Sequence, residues 1–248
     1  MAPDAEQAAP VVRRQVPARA LAPGVTMAEL LDDRQGCRGL HQRRLRLAGG
    51  AEIVGEAGGR GEAWYVISGS GTLAAGTAPT GGTAALRPGT AVWLGASQGY
   101  RCRALGDPGA DLEILASTVR AGAPSGPALQ VTTLDGCEPE QAGDREFRVL
   151  LNEGLSITQF AGLIPPGRAP EHHHTYDEVV HVLAGQGVVH LDGEETEIGP
   201  GTSIYLPPYQ PHCLENTGSE PLQVLGVFYP AGSPAAKQAT EGGGLGKT

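Results

Sequence analysis

Lysine is almost missing from this chain. Its only two, Lys237 and Lys247, fall in the last 12 residues, against 16 arginines. A core without lysine offers no buried amine, which argues against pyridoxal-phosphate and Schiff-base aldolase chemistry. Excess positive charge is missing too. Eighteen basic residues against 27 acidic ones give a net charge of −9, so binding to nucleic acid is not expected. No apolar run approaches the roughly 20 residues that cross a bilayer, so no membrane partner is expected either. Residues Met1 to Pro23 contain no continuous apolar stretch of the kind a secretory leader needs. Cys37, Cys102, Cys137 and Cys213 are widely spaced and include no CxxC pair. They read as reduced thiols, and the expected location is cytoplasmic. Gly246-Lys247-Thr248 imitates the end of a phosphate-binding loop, but Glu241 stands where that loop needs its first glycine.

Turn formers are plentiful. Glycine (38) and proline (20) make up close to a quarter of the 248 residues, while 40% are hydrophobic. Short apolar runs between glycine turns predict an all-β fold. Residues 1–24 read as a flexible arm. Thr26-Met27-Ala28-Glu29 fits a capping box and predicts a short N-terminal helix to about Gln35. Strand-and-turn patterning runs from about 40 to 120, breaks at a linker over 121–146, and returns to about 230. Residues 232–248 read as a flexible tail.

The two patterned halves repeat each other. Tyr65-Val66-Ile67-Ser68-Gly69-Ser70-Gly71 aligns with His181-Val182-Leu183-Ala184-Gly185-Gln186-Gly187. Leu86-Arg87-Pro88-Gly89-Thr90-Ala91-Val92-Trp93-Leu94 aligns with Ile198-Gly199-Pro200-Gly201-Thr202-Ser203-Ile204-Tyr205-Leu206. The blocks lie 20 residues apart in the first half (Gly69 to Gly89) and 16 in the second (Gly185 to Gly201). A four-residue hairpin insertion around Thr77 to Thr83 accounts for the difference.

Six of the seven histidines lie between 172 and 212. On a strand, residues two apart share a face, so His172 and His174 point together and His173 points away. Glu178 follows a Thr-Tyr-Asp bend. His212 arrives 34 residues later behind Pro207-Pro208-Tyr209-Gln210-Pro211, where a neighbouring antiparallel strand could bring it opposite the others. Three imidazoles and a carboxylate suit Mn, Fe, Co, Ni, Cu or Zn better than Ca or Mg.

Residues 166–185 resemble the first cupin motif, and residues 201–216 resemble the second. The resemblance implies tandem cupin barrels: an N-terminal domain over 25–120 and a C-terminal one over 147–231. It implies metal ligands at His172, His174, Glu178 and His212, holding one divalent transition metal per chain (Fe, Mn, Ni, Cu or Zn). One departure is Tyr209, where the second motif usually has glycine. In the first half Glu62 matches Glu178, but Glu56, Gly58 and Tyr100 hold the histidine places. No metal is expected there, and the first half is expected to serve packing and dimerisation.

His181 and His190 read as outward or packing histidines, and Cys213 as a buried structural thiol. Tyr205, Tyr209, Tyr176, Gln159, Phe160 and Arg148 are candidates to line the cavity, with Gln159 and Tyr209 the first choices for substrate contact. A four-ligand site leaves coordination positions open, the mark of a catalytic centre. The resemblance favours a dioxygenase acting on a small, polar, oxygen-rich metabolite. A redox-neutral isomerase, decarboxylase or aminohydrolase is the alternative, and a non-catalytic ligand-binding bicupin is the third reading. A homodimer is expected.

Overall fold

The computed structural model describes residues 8–76, 81–107, 109–236 and 238–239. It is almost entirely β. The first part of the chain forms β1 (Val11–Arg13), β2 (Arg19–Ala22), β3 (Val25–Leu31), β4 (Leu40–Leu47), β5 (Glu52–Glu56) and β6 (Glu62–Ser68). There follow β7 (Gly71–Ala75), β8 (Gly82–Leu86), β9 (Thr90–Leu94), β10 (Gly99–Ala104), β11 (Leu112–Val119) and β12 (Leu129–Thr133). The second part forms β13 (Glu140–Ala142), β14 (Arg145–Leu151), β15 (Thr158–Ile164), β16 (Gly167–Arg168), β17 (His172–His173) and β18 (Asp177–Ala184). It continues with β19 (Gly187–Leu191), β20 (Glu194–Ile198), β21 (Ser203–Leu206), β22 (His212–Asn216), β23 (Leu222–Tyr229) and β24 (Gln238–Ala239).

These strands build two barrels with the same plan. One large sheet runs β12-β9-β6-β11-β4-β3-β2 and the other β1-β21-β18-β23-β15-β14-β13. Each is backed by a smaller sheet, β5-β10-β7-β8 in the first barrel and β20-β19-β22-β17-β24, with β16 beside β22, in the second. The repeated glycines mark turns in both halves. Gly69, Gly89, Gly185 and Gly201 all have φ between +79° and +87°, where a side chain is strained. At Gly69 a Cβ would also meet the Asp111 carbonyl oxygen at 2.2 Å. The inserted hairpin is confirmed: Ala75 pairs with Gly82, leaving six residues between, whereas Leu191 pairs with Glu194, leaving two. Its tip, 77–80, lies outside the described residues.

The large sheets pack face to face. Leu30, Leu40, Tyr65, Trp93 and Leu115 from one barrel join Leu151, Ile157, Val179, Tyr205, Leu225 and Val227 from the other in one apolar cluster. Each barrel keeps its own core on the far side of its large sheet. Alternation along β18 and β23 therefore sorts residues cleanly: Val179, Leu225 and Val227 face the neighbouring barrel, while Val180 and Val224 face inward.

Several expectations need correction. The predicted helix is β3 instead. Its two faces are both buried, Val25 and Met27 in the first barrel and Ala28, Leu30 and Leu31 between the barrels, so its apolar residues do not alternate and imitate a helical stripe. Pairing with β2 and β4 decides the outcome. A capping box does form, one turn later. The Arg34 amide donates to Asp32, and the Asp32 amide donates to Gln35 at 2.8 Å. It opens a single 3-10 turn over Asp33–Gln35.

The arm is not loose from residue 8 onward, since β1 and β2 lie within it. β1 crosses to the other barrel and pairs with β21 (Val11 with Tyr205). The stretch read as a linker holds β12, which pairs back onto β9, and β13, which pairs with β14. Each barrel thus takes an edge strand from the chain segment that precedes the other. Residues 1–7 and 240–248 lie outside the described residues, but 232–236 and β24 belong to the second barrel.

One polar chain crosses the apolar interface. His181 Nδ1 lies 2.8 Å from Ser203 Oγ. That hydroxyl donates to Gln42 Oε1 at 2.7 Å, and Gln42 Nε2 reaches Ser117 Oγ at 3.4 Å. Burial first, and then the Arg44 charge, pull the His181 pKa down to about 3. The unfolded chain therefore binds a proton at this position between pH 6.5 and 3 that the folded chain does not. Stability should fall as pH drops through this window and level off near pH 3. His181→Gln should flatten that part of the curve relative to wild type, as read by chemical denaturation at a series of pH values. Parallel curves would remove His181 as the cause.

Candidate metal centre

The four expected ligands converge inside the second barrel. β17 and β22 are antiparallel neighbours, with His172 directly opposite His212. The chain then bends through 174–176 so that Glu178, in β18 of the facing sheet, enters the same interior. One ligand atom from each of His172, His174 and His212 lies within 4.8 Å of the others. Glu178 Oε2 is 3.5 Å from His174 Nε2 and 3.6 Å from His212 Nε2. All four residues are buried. His173 is less buried and faces outward toward Tyr209, with ring centres 6.1 Å apart.

The tautomers follow from backbone contacts. His172 Nδ1 lies 3.3 Å from the Pro170 carbonyl oxygen, His174 Nδ1 3.1 Å from that of Ala236, and His212 Nδ1 3.0 Å from that of Gln210. A carbonyl accepts only, so each Nδ1 carries the proton and each Nε2 carries a lone pair. Three basic nitrogens beside a buried carboxylate match the donor set that would hold a transition ion. The residues fit the metal.

The surrounding cavity measures about 70 Å³. Phe147, Phe160, Phe228, Val180, Leu214 and Val224 make most of its wall apolar. His174 is stacked on Tyr176 with ring centres 4.9 Å apart. Burial, and then Glu178, push the Tyr176 pKa up, so the phenol keeps its proton, and it donates to the Ser233 carbonyl at 3.1 Å. Arg145 also lines the cavity, and its Nη2 donates to the Leu214 carbonyl at 3.1 Å. Burial pulls its pKa below the ordinary arginine range.

Of the residues read from the sequence as cavity candidates, Phe160 lines the wall. Gln159 does not. Its cross-strand neighbours Leu151 and Val227 belong to the apolar cluster between the barrels, so the strand alternation that turns Phe160 inward turns Gln159 away. Tyr205 sits in that same cluster and donates to Asp177. Arg148 donates to the Cys137 carbonyl at 2.7 Å. Tyr209 is 59% exposed at the rim with φ +65°, a left-handed backbone that explains why glycine is usual there. Its amide donates to the His174 carbonyl at 2.6 Å.

His181 and His190 are not ligands. His190 lies 2.8 Å from Glu215 Oε2 and 3.4 Å from Glu195 Oε1, away from the centre. Cys213 faces away from His212 as expected, buried with its thiol toward the Ala169 carbonyl. Arg145 and Phe147 escaped the sequence reading, although their two-residue spacing at the start of β14 was available as a signal.

The first barrel fills the corresponding space with its own side chains. Glu62 is fully buried and accepts from Arg43 Nη2 and Trp64 Nε1, each at 2.7 Å. The Tyr100 ring packs edge-on against Trp64, and Glu56 is exposed. A guanidinium stands where a metal would otherwise neutralise the glutamate. Among the described residues, the three-histidine group is the one cluster of metal-binding type.

Residues 161–228 match the family described as Cupin domain. An uncharacterised protein of Methanocaldococcus jannaschii is 41% identical over 91 residues, 36% of this chain and 70% of that protein. Mannose-1-phosphate guanylyltransferase of Escherichia coli is 37% identical over 90 residues, but these are only 16% of that enzyme. Among solved structures, Bacillus subtilis oxalate decarboxylase, described with Mn(II) centres, superposes with a TM-score of 0.74 over 93% of this chain and 78% of that one. At 14% identity the likeness is one of fold.

Metal analysis of protein purified without a histidine tag should give one ion per chain, and His174→Ala should remove most of it. Glu62→Gln should leave metal content unchanged. It should still destabilise the protein by about 3 kcal/mol, because Arg43 loses its buried counter-charge. Two ions per chain, or retention of the ion after His174→Ala, would overturn the ligand assignment.

Proposed function

The chain belongs to the cupin superfamily, and on that premise we propose that it is a metal-dependent enzyme acting on a small metabolite that chelates through oxygen. The observation that carries this reading is the set of three imidazoles whose Nδ1 atoms are tied to carbonyls while their Nε2 atoms surround a buried carboxylate. His172, His174, His212 and Glu178 hold the ion. When bound, such an ion supplies Lewis-acid polarisation of substrate oxygens. Mn(II) is the first metal to load, since the oxalate decarboxylase of the same fold is described with it.

The cavity sets the substrate's size. About 70 Å³ accommodates roughly half a dozen non-hydrogen atoms, judged by the 10–15 Å³ that one water requires. A flavonol-sized substrate does not fit. Phe147, Phe160 and Phe228 exclude bulk water and strengthen electrostatic contacts inside. A chelating ligand leaves little space for a second reactant such as dioxygen. Redox-neutral chemistry, decarboxylation or isomerisation, therefore ranks ahead of dioxygenation.

The deciding assay compares Mn(II)- and Fe(II)-loaded protein on a panel of two- to four-carbon oxo and hydroxy acids, in air and without oxygen. The expected outcome is turnover of at least one compound at the same rate in both atmospheres. Oxygen uptake matched to substrate loss would select the dioxygenase. Metal binding without turnover of any compound would select a ligand-binding protein.

A further inference from the structure

The two barrels treat buried arginine in opposite ways. The repeat places Glu62 over Glu178, and the registers extend this match. Thr118 pairs with Glu62 and Phe228 with Glu178, so β11 overlies β23. Ala116 pairs with Arg43 and Gly226 with Phe160, so Arg43 overlies Phe160. Arg44 pairs with Ala28 and Ala161 with Arg148, so Ala28 overlies Arg148 and Val25 overlies Arg145. The silent barrel therefore has a guanidinium where the metal barrel has a phenyl ring, and a fully buried valine where the metal barrel has Arg145.

Their partners differ as well. Arg43 meets Glu62 at 2.7 Å, so its charge is neutralised within the chain. Arg145 has the Leu214 carbonyl as its acceptor, and no carboxylate lies within ion-pair distance of it among the described residues. Glu178 is taken by the metal centre, and Glu146, the other acid on the cavity wall, is turned to Arg148 at 3.5 Å. Arg145 is the one guanidinium lining the cavity. A partly buried charge facing an apolar wall is stabilised when an anion enters beside it. A guanidinium fork matches a carboxylate in particular.

We propose that Arg145 is the specificity residue of the metal cavity and selects a short 2-oxo or 2-hydroxy acid, whose carboxylate it binds while the acid's vicinal oxygens face the histidine–glutamate centre. This rests on the metal reading above. The volume limits the ligand to about three or four carbons, and Phe147, Phe160 and Phe228 accept its apolar end. Sugar phosphates are too large.

Pyruvate and pyruvamide test this, because they present the same vicinal oxygens and differ in charge. Calorimetric titration of Mn(II)-loaded wild type should show pyruvate bound at least about tenfold more tightly than pyruvamide. Arg145→Met should bring the two within about twofold while metal content stays at one ion per chain. Arg145→Lys should keep part of the preference, and it decides the matter if the methionine variant does not fold: pyruvate binding unchanged from wild type would overturn the proposal. So would equal binding of pyruvate and pyruvamide by wild type, unaltered pyruvate binding by Arg145→Met, or no binding of either at millimolar concentration. If wild type takes up no metal, the metal reading fails on its own. The same titrations on metal-free protein then decide Arg145, with a charge preference lost in Arg145→Met supporting its role and no preference overturning it.

Discussion

Each large sheet has two faces to cover, and everything else in the molecule depends on how one of them is covered. The outward face is closed by the other barrel, through Trp93, Tyr205, Val179 and their neighbours. Because side chains alternate along a strand, fixing Val179 and Val227 on that face fixes Glu178 and Phe228 on the other. The carboxylate that meets the three histidines is thus aimed by apolar packing on the opposite side of its own strand. Burying large apolar side chains contributes about 1.5–3 kcal/mol each, enough to hold a polar interior that would not assemble by itself.

The interior of a barrel this narrow cannot leave a carboxylate without a counter-charge. The two halves solve this differently with the same backbone. Arg43 and Trp64 neutralise and cap Glu62 in one, while three imidazoles prepare a place for a cation beside Glu178 in the other. The interface repeats the contrast on a smaller scale. Gln42 and Gln159 occupy matching positions, opposite Ser117 and Val227. Gln42 is woven into the Ser203–His181 chain. Neither amide atom of Gln159 finds a partner among the described residues, since Ala91 and Tyr65 stand where its twin finds Ser203 and His181.

The convergence of His172, His174, Glu178 and His212 was legible through the resemblance to the two cupin motifs, and the duplication through glycines at fixed turns. Strand parity read within one segment also placed His181, His190 and Cys213 away from the histidine–glutamate cluster. The choice of Gln159 had no such parity behind it: a bend separates the residue from the histidines, and its own strand turns it toward the other barrel. The reading of β3 as a helix failed for a related reason. Burial on both faces erased the alternation that identifies a strand. The pairing of β1 with β21 left no local signal at all, because its partner lies near the other end of the sequence.

That pairing makes the second barrel a body whose sequence surrounds its sibling. It begins at Val11, gives way to the silent barrel, resumes at β13 and closes with β24 beside His172 and His173. Joining its outermost strand means closing a loop that holds most of the chain, which carries an entropic cost. The first barrel is therefore more than a relic of duplication. It is the folded spacer between the first strand of the second barrel and the edge at β21 that this strand completes.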